Sequence, residues 1–177
     1  WAERHKEAMK GFALMESPLS PDASNFFSEQ MKAGMKFLKT EQGEHMVLQM
    51  NMMIEKAIPS NVVRKLSEEE HNEYRRPFLE PGESRRPLYS FVSSIPFDGE
   101  PADVYNMQRE TFSWIQTTDM PILFIRGDPG SSVTQEEADV IRSFKKVTEE
   151  VVKGTHLLTE DSPGEIGAAI AKWYGAL

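Results

Sequence analysis

Met120-Pro121-Ile122-Leu123-Phe124-Ile125 is an unbroken apolar run, closed by Arg126-Gly127-Asp128-Pro129-Gly130. A run this short between breakers reads as a strand, and a strand with no polar side has to be buried on both faces. Gly11-Phe12-Ala13-Leu14-Met15, ended by Glu16-Ser17-Pro18, repeats the pattern. Val147-Thr148-Glu149-Glu150-Val151-Val152 is short and β-branched, a third strand. Helical patterns separate the three, so the strands must run parallel. The expected class is α/β, in the order helix–strand, helical insertion, strand–helix, strand–helix.

A length of 177 residues, with 39% hydrophobic and 27% charged, suits one soluble domain with a real core. The net charge of −8 argues against a nucleic-acid groove. Arg75-Arg76, Arg85-Arg86 and Lys145-Lys146 are isolated pairs flanked by acids and read as solvated surface. With no cysteine there is no disulfide, thiolate metal site or cysteine nucleophile, which fits a reducing, cytoplasmic setting. No run reaches the length of a membrane helix, so no membrane partner is expected. Trp1 opens the chain inside an expected helix, where Trp1, Ala2, His5, Ala8 and Met9 share one side with no cap before them. The expectation is that the chain continues a longer protein.

Residues 22–118 read as a helical insertion. Phe26, Phe27, Met31, Met35 and Leu38 fit a helix over 25–39. Thr40 caps a second, whose stripe of Met46, Val47, Met50, Met53, Ile54, Ala57 and Ile58 is stopped by Pro59. Met46 and Met50 are expected in the core, while Met52 falls off the stripe and faces something else. Ser67-Glu68-Glu69-Glu70 has capping-box form and starts a third helix. Prolines 77, 81, 87 and 96 with Gly82 and Gly99 predict mostly loop over 77–99. Pro101 opens a helix to about residue 116. Beyond the central strand, Thr134 with Glu137 makes another capping box, Val133 staples onto Ala138, and the helix runs to about residue 145.

The chemistry collects where strands end. His156 sits just past the third strand, before a helix capped by Ser162, with Pro163 in its first turn and Ile166, Ala169, Ile170 and Trp173 on one face. The carboxyl rim of an open α/β sheet is where ligands and reacting groups gather. An imidazole there serves as a general base or merely caps a loop. Glu16 is either its carboxylate partner or a rim acid bonded to backbone amides. Asp128, after the central strand, is the third group on the same rim, and their convergence favours a site. A histidine with one or two carboxylates supplies the base and orienter of a nucleophile–base–acid system. The third part belongs on a G-x-[S/D]-x-G strand-to-helix elbow, which this sequence lacks; Ser131-Ser132 has no trailing Gly and follows the wrong strand. There is no H-E-x-x-H, Walker loop or G-x-G-x-x-G, so no metal and no cofactor is expected.

Several stretches together resemble one family. Trp1-Ala2-Glu3-Arg4-His5, Lys10-Gly11-Phe12-Ala13-Leu14-Met15-Glu16, Ile58-Pro59-Ser60-Asn61-Val62-Val63-Arg64-Lys65-Leu66, Tyr74-Arg75-Arg76-Pro77-Phe78 and residues 154–167 are similar to the haloalkane dehalogenases, which are α/β-hydrolases. So are Ile95-Pro96, Gly99-Glu100-Pro101-Ala102 and Asp128-Pro129-Gly130. Glu41-Gln42-Gly43-Glu44-His45-Met46-Val47-Leu48 and Gly82-Glu83-Ser84-Arg85-Arg86-Pro87 look closer to the Renilla-type luciferases on the same fold.

The resemblance implies the C-terminal part of an α/β-hydrolase fold. Residues 1–19 and 117–177 would belong to the main domain and residues 20–116 to a helical cap. It implies that an aspartate displaces halide in an SN2 step, and that His156 then activates water against the alkyl-enzyme ester. Glu16 matches the family's acid; some members place it near Asp128. The implied pocket is Met52, Met53, Ala57, Ser131, Ser132 and Leu157. Its partners would be a small apolar substrate, halide as product, and the missing N-terminal half that holds the nucleophile and halide-binding indole. Without that half the chain is expected to be inactive. Two further readings remain: a coelenterazine monooxygenase using the same pocket, and a non-catalytic fragment. Phenylalanines in the luciferases where this chain has Met52-Met53 and Ser131-Ser132 favour the dehalogenase.

Overall fold

The computed structural model describes residues 1–17, 19–21 and 27–177. Strands β1 (Phe12–Met15), β2 (Ile122–Pro129) and β3 (Val147–Gly154) form one parallel sheet, ordered β1-β2-β3. Phe12 lies opposite Ile122, and Ile122 opposite Val147. The helices are α1 (Glu29–Leu38), α2 (Glu41–Leu48), α3 (Ile58–Ser60), α4 (Glu68–Arg75), α5 (Arg86–Ser93), α6 (Ala102–Thr117), α7 (Gln135–Arg142), α8 (Leu158–Asp161) and α9 (Pro163–Tyr174). Among the described residues no helix is long and apolar enough to cross a membrane.

The apolar run of β2 explains the layering. Alternate side chains of a strand serve opposite faces. Ile122 and Phe124 pack with Trp114, Ile115, Ala138, Ile141 and Phe144, which come from α6, α7 and the turn after α7. Leu123 and Ile125 pack with Val152, Leu158, Ile166 and Ala169 on the other side. Each of the four β2 side chains is almost wholly buried, a contribution of about 1.5–3 kcal/mol apiece from removing apolar surface from water.

Several expectations need correcting. The opening segment is two 3₁₀ turns, Ala2–Arg4 and Lys6–Ala8, rather than one helix. Its hydrogen bonds run i to i−3, as from His5 N–H to the Ala2 carbonyl, since so short a segment cannot offset helix nucleation. The first insertion helix begins at Glu29, where the Ser28 hydroxyl accepts from the Met31 N–H; the expected start at Asn25 and Phe26 lies outside the described residues, as does Pro18. β2 continues through Asp128 to Pro129, four residues past the apolar run that announces it, because Arg126–Pro129 pair with Val151–Gly154 of β3.

The stripe over 46–58 is not one helix. α2, capped by the Thr40 hydroxyl, ends at Leu48; Asn51 has φ 54°, and a π-helical turn (Met53–Ala57) leads into α3. The break comes from another segment. The Leu48 carbonyl accepts from Gly82 N–H at 2.9 Å, and the guanidinium of Arg85 reaches the Leu48 and Gln49 carbonyls at 3.0 and 2.9 Å. With those acceptors taken, helical phase is reset. Val47 and Ile54 stay buried, but Met50 is 60% exposed and is not core.

Residues 77–99 are not mostly loop, since α5 starts there with Pro87 in its first turn, where its missing N–H has no cost. Two caps also differ. Ser67 and Glu70 form the reciprocal box expected at α4. At α7 the Thr134 hydroxyl accepts from Glu137 N–H, but the Glu137 carboxylate turns inward and accepts from the Leu19 and Ser20 amides at 2.6 and 2.8 Å. The Ser162 hydroxyl does not cap α9; it donates to the Lys153 carbonyl at 2.7 Å, tying the helix entry to β3.

Candidate active site

Three loops at the carboxyl ends of β1, β2 and β3 meet on one rim. Glu16 leaves β1 with φ 45°, a left-handed conformation that costs a non-glycine residue about 1–2 kcal/mol. Its carboxylate is 3% exposed. Oε2 accepts the amide N–H groups of Ser131 at 3.0 Å and Ser132 at 2.8 Å, from the loop after β2. Gly130, at φ 70°, lets that loop come close, since a Cβ there would stand 3.1 Å from Glu16 Oε1. Oε1 is buried without a hydrogen-bond partner among the described residues.

His156 enters from the loop after β3. Its Nδ1 lies 3.7 Å from Glu16 Oε2 and 2.9 Å from Ser132 Oγ. The first distance is too long for a hydrogen bond and within ion-pair reach whenever the ring is protonated. At 40% exposure the imidazole is partly open to solvent while the carboxylate is not. Glu16 is thus a rim acid bonded to amides and also the neighbour of the imidazole. Asp128 is exposed near the end of β2, opposite Lys153, so the carboxylate beside the ring is Glu16.

The backbone of the histidine loop is fixed from the insertion. The N–H groups of His156 and Leu157 both donate to the Asn61 carbonyl, at 3.3 and 2.9 Å, and the Asn61 side-chain amide donates to Ala57 O at 2.7 Å. Asp161 accepts the N–H groups of Val63 at 2.9 Å, Arg64 at 3.1 Å and Thr155 at 3.4 Å. Burial alone would raise the Asp161 carboxyl, but those three amides outweigh it and hold the group below its ordinary value. Beside it, Arg64 Nη2 donates to Glu160 Oε2 at 2.6 Å and Nη1 to Glu70 Oε2 at 2.9 Å. The hydrogen bond from Arg64, reinforced by the Ser67 backbone, brings Glu70 down to about 2. The Tyr74 hydroxyl donates to Glu160, and burial together with that carboxylate pushes the phenol up to about 12.

Of the remaining expected pocket residues, Met52, Met53, Ala57, Ser132 and Leu157 are half-buried and Ser131 is exposed. A cavity of about 280 Å³ opens beside Ser131, against Arg126, Pro129, Val133 and Thr134, and takes in none of the other five. Among the described residues no group of three or more His, Asp or Glu side chains is placed to hold a metal ion. Asn61 and Asp161 carry no periodic or motif signal of their own, and sequence reasoning passed over both as individual residues.

No family model matches the chain. It is 44% identical over 174 residues to a haloalkane dehalogenase of Mycolicibacterium smegmatis, covering 98% of this chain and 56% of that protein. To a haloalkane dehalogenase of Sphingobium indicum it is 42% identical over 177 residues, covering all of this chain and 60% of the other. The crystal structure of haloalkane dehalogenase DbeA from Bradyrhizobium elkani superposes with a TM-score of 0.90 at 31% identity, over 99% of this chain and 62% of that one. The chain is homologous to haloalkane dehalogenases. Its fold is the C-terminal part of their α/β-hydrolase fold. It spans less than two thirds of the length of the dehalogenase relatives described here.

Proposed function

We propose that this chain carries the general base, His156, and its acid partner, Glu16, of a haloalkane dehalogenase-type hydrolase. The observation that carries the reading is the buried Glu16 carboxylate 3.7 Å from the His156 ring, on the rim where three parallel strands end. Homology to haloalkane dehalogenases supplies the reaction class. In this reading residues 20–116 cover the site, with 1–19 and 117–177 as its base. An aspartate nucleophile, which this sequence offers on no elbow, comes from the portion of the fold that the relatives have and this chain does not.

The steps are those that the dehalogenase reading implies. The aspartate attacks the halogen-bearing carbon, the carbon–halogen bond breaks with its electron pair, and halide leaves. The result is an alkyl-enzyme ester. His156 then takes a proton from water and the hydroxide attacks the ester carbonyl; the bond between that carbon and the alkoxy oxygen breaks, the alkoxide takes the proton back from the imidazolium and leaves as the alcohol, and the aspartic acid loses its proton to solvent. Glu16 stabilises the imidazolium as it forms, an interaction strengthened by the burial of the carboxylate.

The test uses the chain joined to a nucleophile-bearing segment, assayed in parallel for halide release from a bromoalkane and for light from coelenterazine. Halide without light is the expected result; light without halide moves the protein to the luciferase reading. The 177-residue chain by itself is expected to release no halide. Turnover by that chain would refute the assignment of the nucleophile to another segment.

A further inference from the structure

Among the described residues β3 has a neighbour on one side only, β2. The carbonyls of Lys146 and Gly154 turn towards β2, accepting the Ile122 and Gly130 N–H groups at 2.8 and 2.9 Å. Backbone groups point to alternate sides along a strand, and the register is unbroken from Val147 to Gly154, so Glu149, Val151 and Lys153 present theirs outward. The Lys153 carbonyl takes the Ser162 hydroxyl at 2.7 Å and keeps a second lone pair. Among the described residues, the outward groups of Glu149 and Val151 meet no partner.

The side chains of these three residues share one face of the sheet, that of Phe124, and read acid, apolar, base. Val151 is 51% exposed, Lys153 is exposed, and Glu149 is a quarter exposed beside Arg126 and Arg142. A free edge with an exposed valine is a template for another strand, and charges on an edge usually discourage pairing. Here they select a register. In an antiparallel pair of identical strands, outward residues meet outward residues. Setting Val151 against itself brings Glu149 opposite Lys153 twice. Setting Glu149 or Lys153 against itself opposes like charges, and the registers between leave a charge against the valine.

We infer that β3 pairs antiparallel with β3 of a second copy of this chain, with Val151 on the two-fold axis and Glu149 opposite Lys153 on either side of it. The sheet then runs on through a closed, isologous dimer. Nothing in this depends on the hydrolase reading.

The chain has no cysteine, so a single introduced thiol reports the register. Hydrogen-bonded antiparallel partners stand about 5.5 Å apart at Cα, within the span of a disulfide. Val151→Cys should therefore form a disulfide dimer under mild oxidation, seen as twice the chain mass without reductant. Thr148→Cys should not, because its two copies would stand about 20 Å apart. Both variants are tested in the 177-residue chain and in the chain joined to a nucleophile-bearing segment whose own cysteines are replaced by serine. Sedimentation of the unsubstituted protein should show a monomer–dimer equilibrium. Lys153→Glu, which sets like charges against each other twice, should weaken it by about two- to thirtyfold, the span of two cross-strand pairs. An absent Val151→Cys dimer, equal cross-linking at position 148, or a protein that stays monomeric at hundreds of micromolar overturns the proposal. So does a cross-link lost on joining the segment, which would mean that the segment fills the edge.

Discussion

The backbone N–H of His156 donates to the carbonyl of Asn61 at 3.3 Å. The loop that carries His156 is thereby held by the helical insertion as well as by the sheet it leaves. Asp161 completes the clamp by taking amides from both sides, Val63 and Arg64 on one and Thr155 on the other.

That clamp makes an acid-labile contact. The Asp161 carboxyl is held below its ordinary value in the folded chain, so its contribution is present above the unfolded value of about 3.9 and is lost as pH falls through the lower, folded value. Asp161→Ala should reduce unfolding free energy at pH 7 by about 1–3 kcal/mol, the cost of leaving amides unpaired. Denaturant curves for wild type and variant should converge as pH falls towards 2. Curves that stay equally far apart across that range would mean that the carboxylate is not the clamp.

Arg85 should matter more than its place in a predicted loop suggests. The residue is 6% exposed, and its guanidinium donates to the carbonyls of Phe78, Leu79, Leu48 and Gln49. Removing it takes a donor from one buried and three partly buried carbonyls, so Arg85→Ala is expected to cost about 2–4 kcal/mol. Arg85→Lys should recover little, because one ammonium cannot span a planar fork of carbonyls. Thermal unfolding of the two variants checks this, and full rescue by lysine would contradict it.

Glu16→Gln keeps an oxygen for the Ser131 and Ser132 amides while removing the charge beside His156. In the protein completed with its nucleophile, ester hydrolysis should slow by roughly 10³- to 10⁴-fold, with alkylation and substrate affinity little changed. Single-turnover kinetics with a bromoalkane separate the two steps. Equal slowing of both would place Glu16 in the scaffold only.

The parallel sheet was legible because four consecutive apolar residues at 122–125 demand cover on both faces, and the place of His156 because a strand end and a helix start bracket it. What escaped depended on distant partners. No local pattern announces that Arg85 will take the carbonyls that end α2, so the stripe through Met50 ran on in the prediction and stopped in the structure. The same holds for Glu137, which has the spacing of a capping box and instead pins Leu19 and Ser20, more than a hundred residues away in the chain. Glu16 was read from its place at a strand end. Its left-handed φ and its two amide donors arise from a loop more than a hundred residues away and are invisible to periodicity.

The most direct test is the mass of His156→Ala, completed with the nucleophile-bearing segment and exposed to a bromoalkane. The protein should gain one alkyl group, release one equivalent of halide, and keep the adduct through denaturation, because the ester has lost the base that activates its water. Steady-state halide release at the wild-type rate with no adduct would show that the imidazole beside Glu16 is not the base.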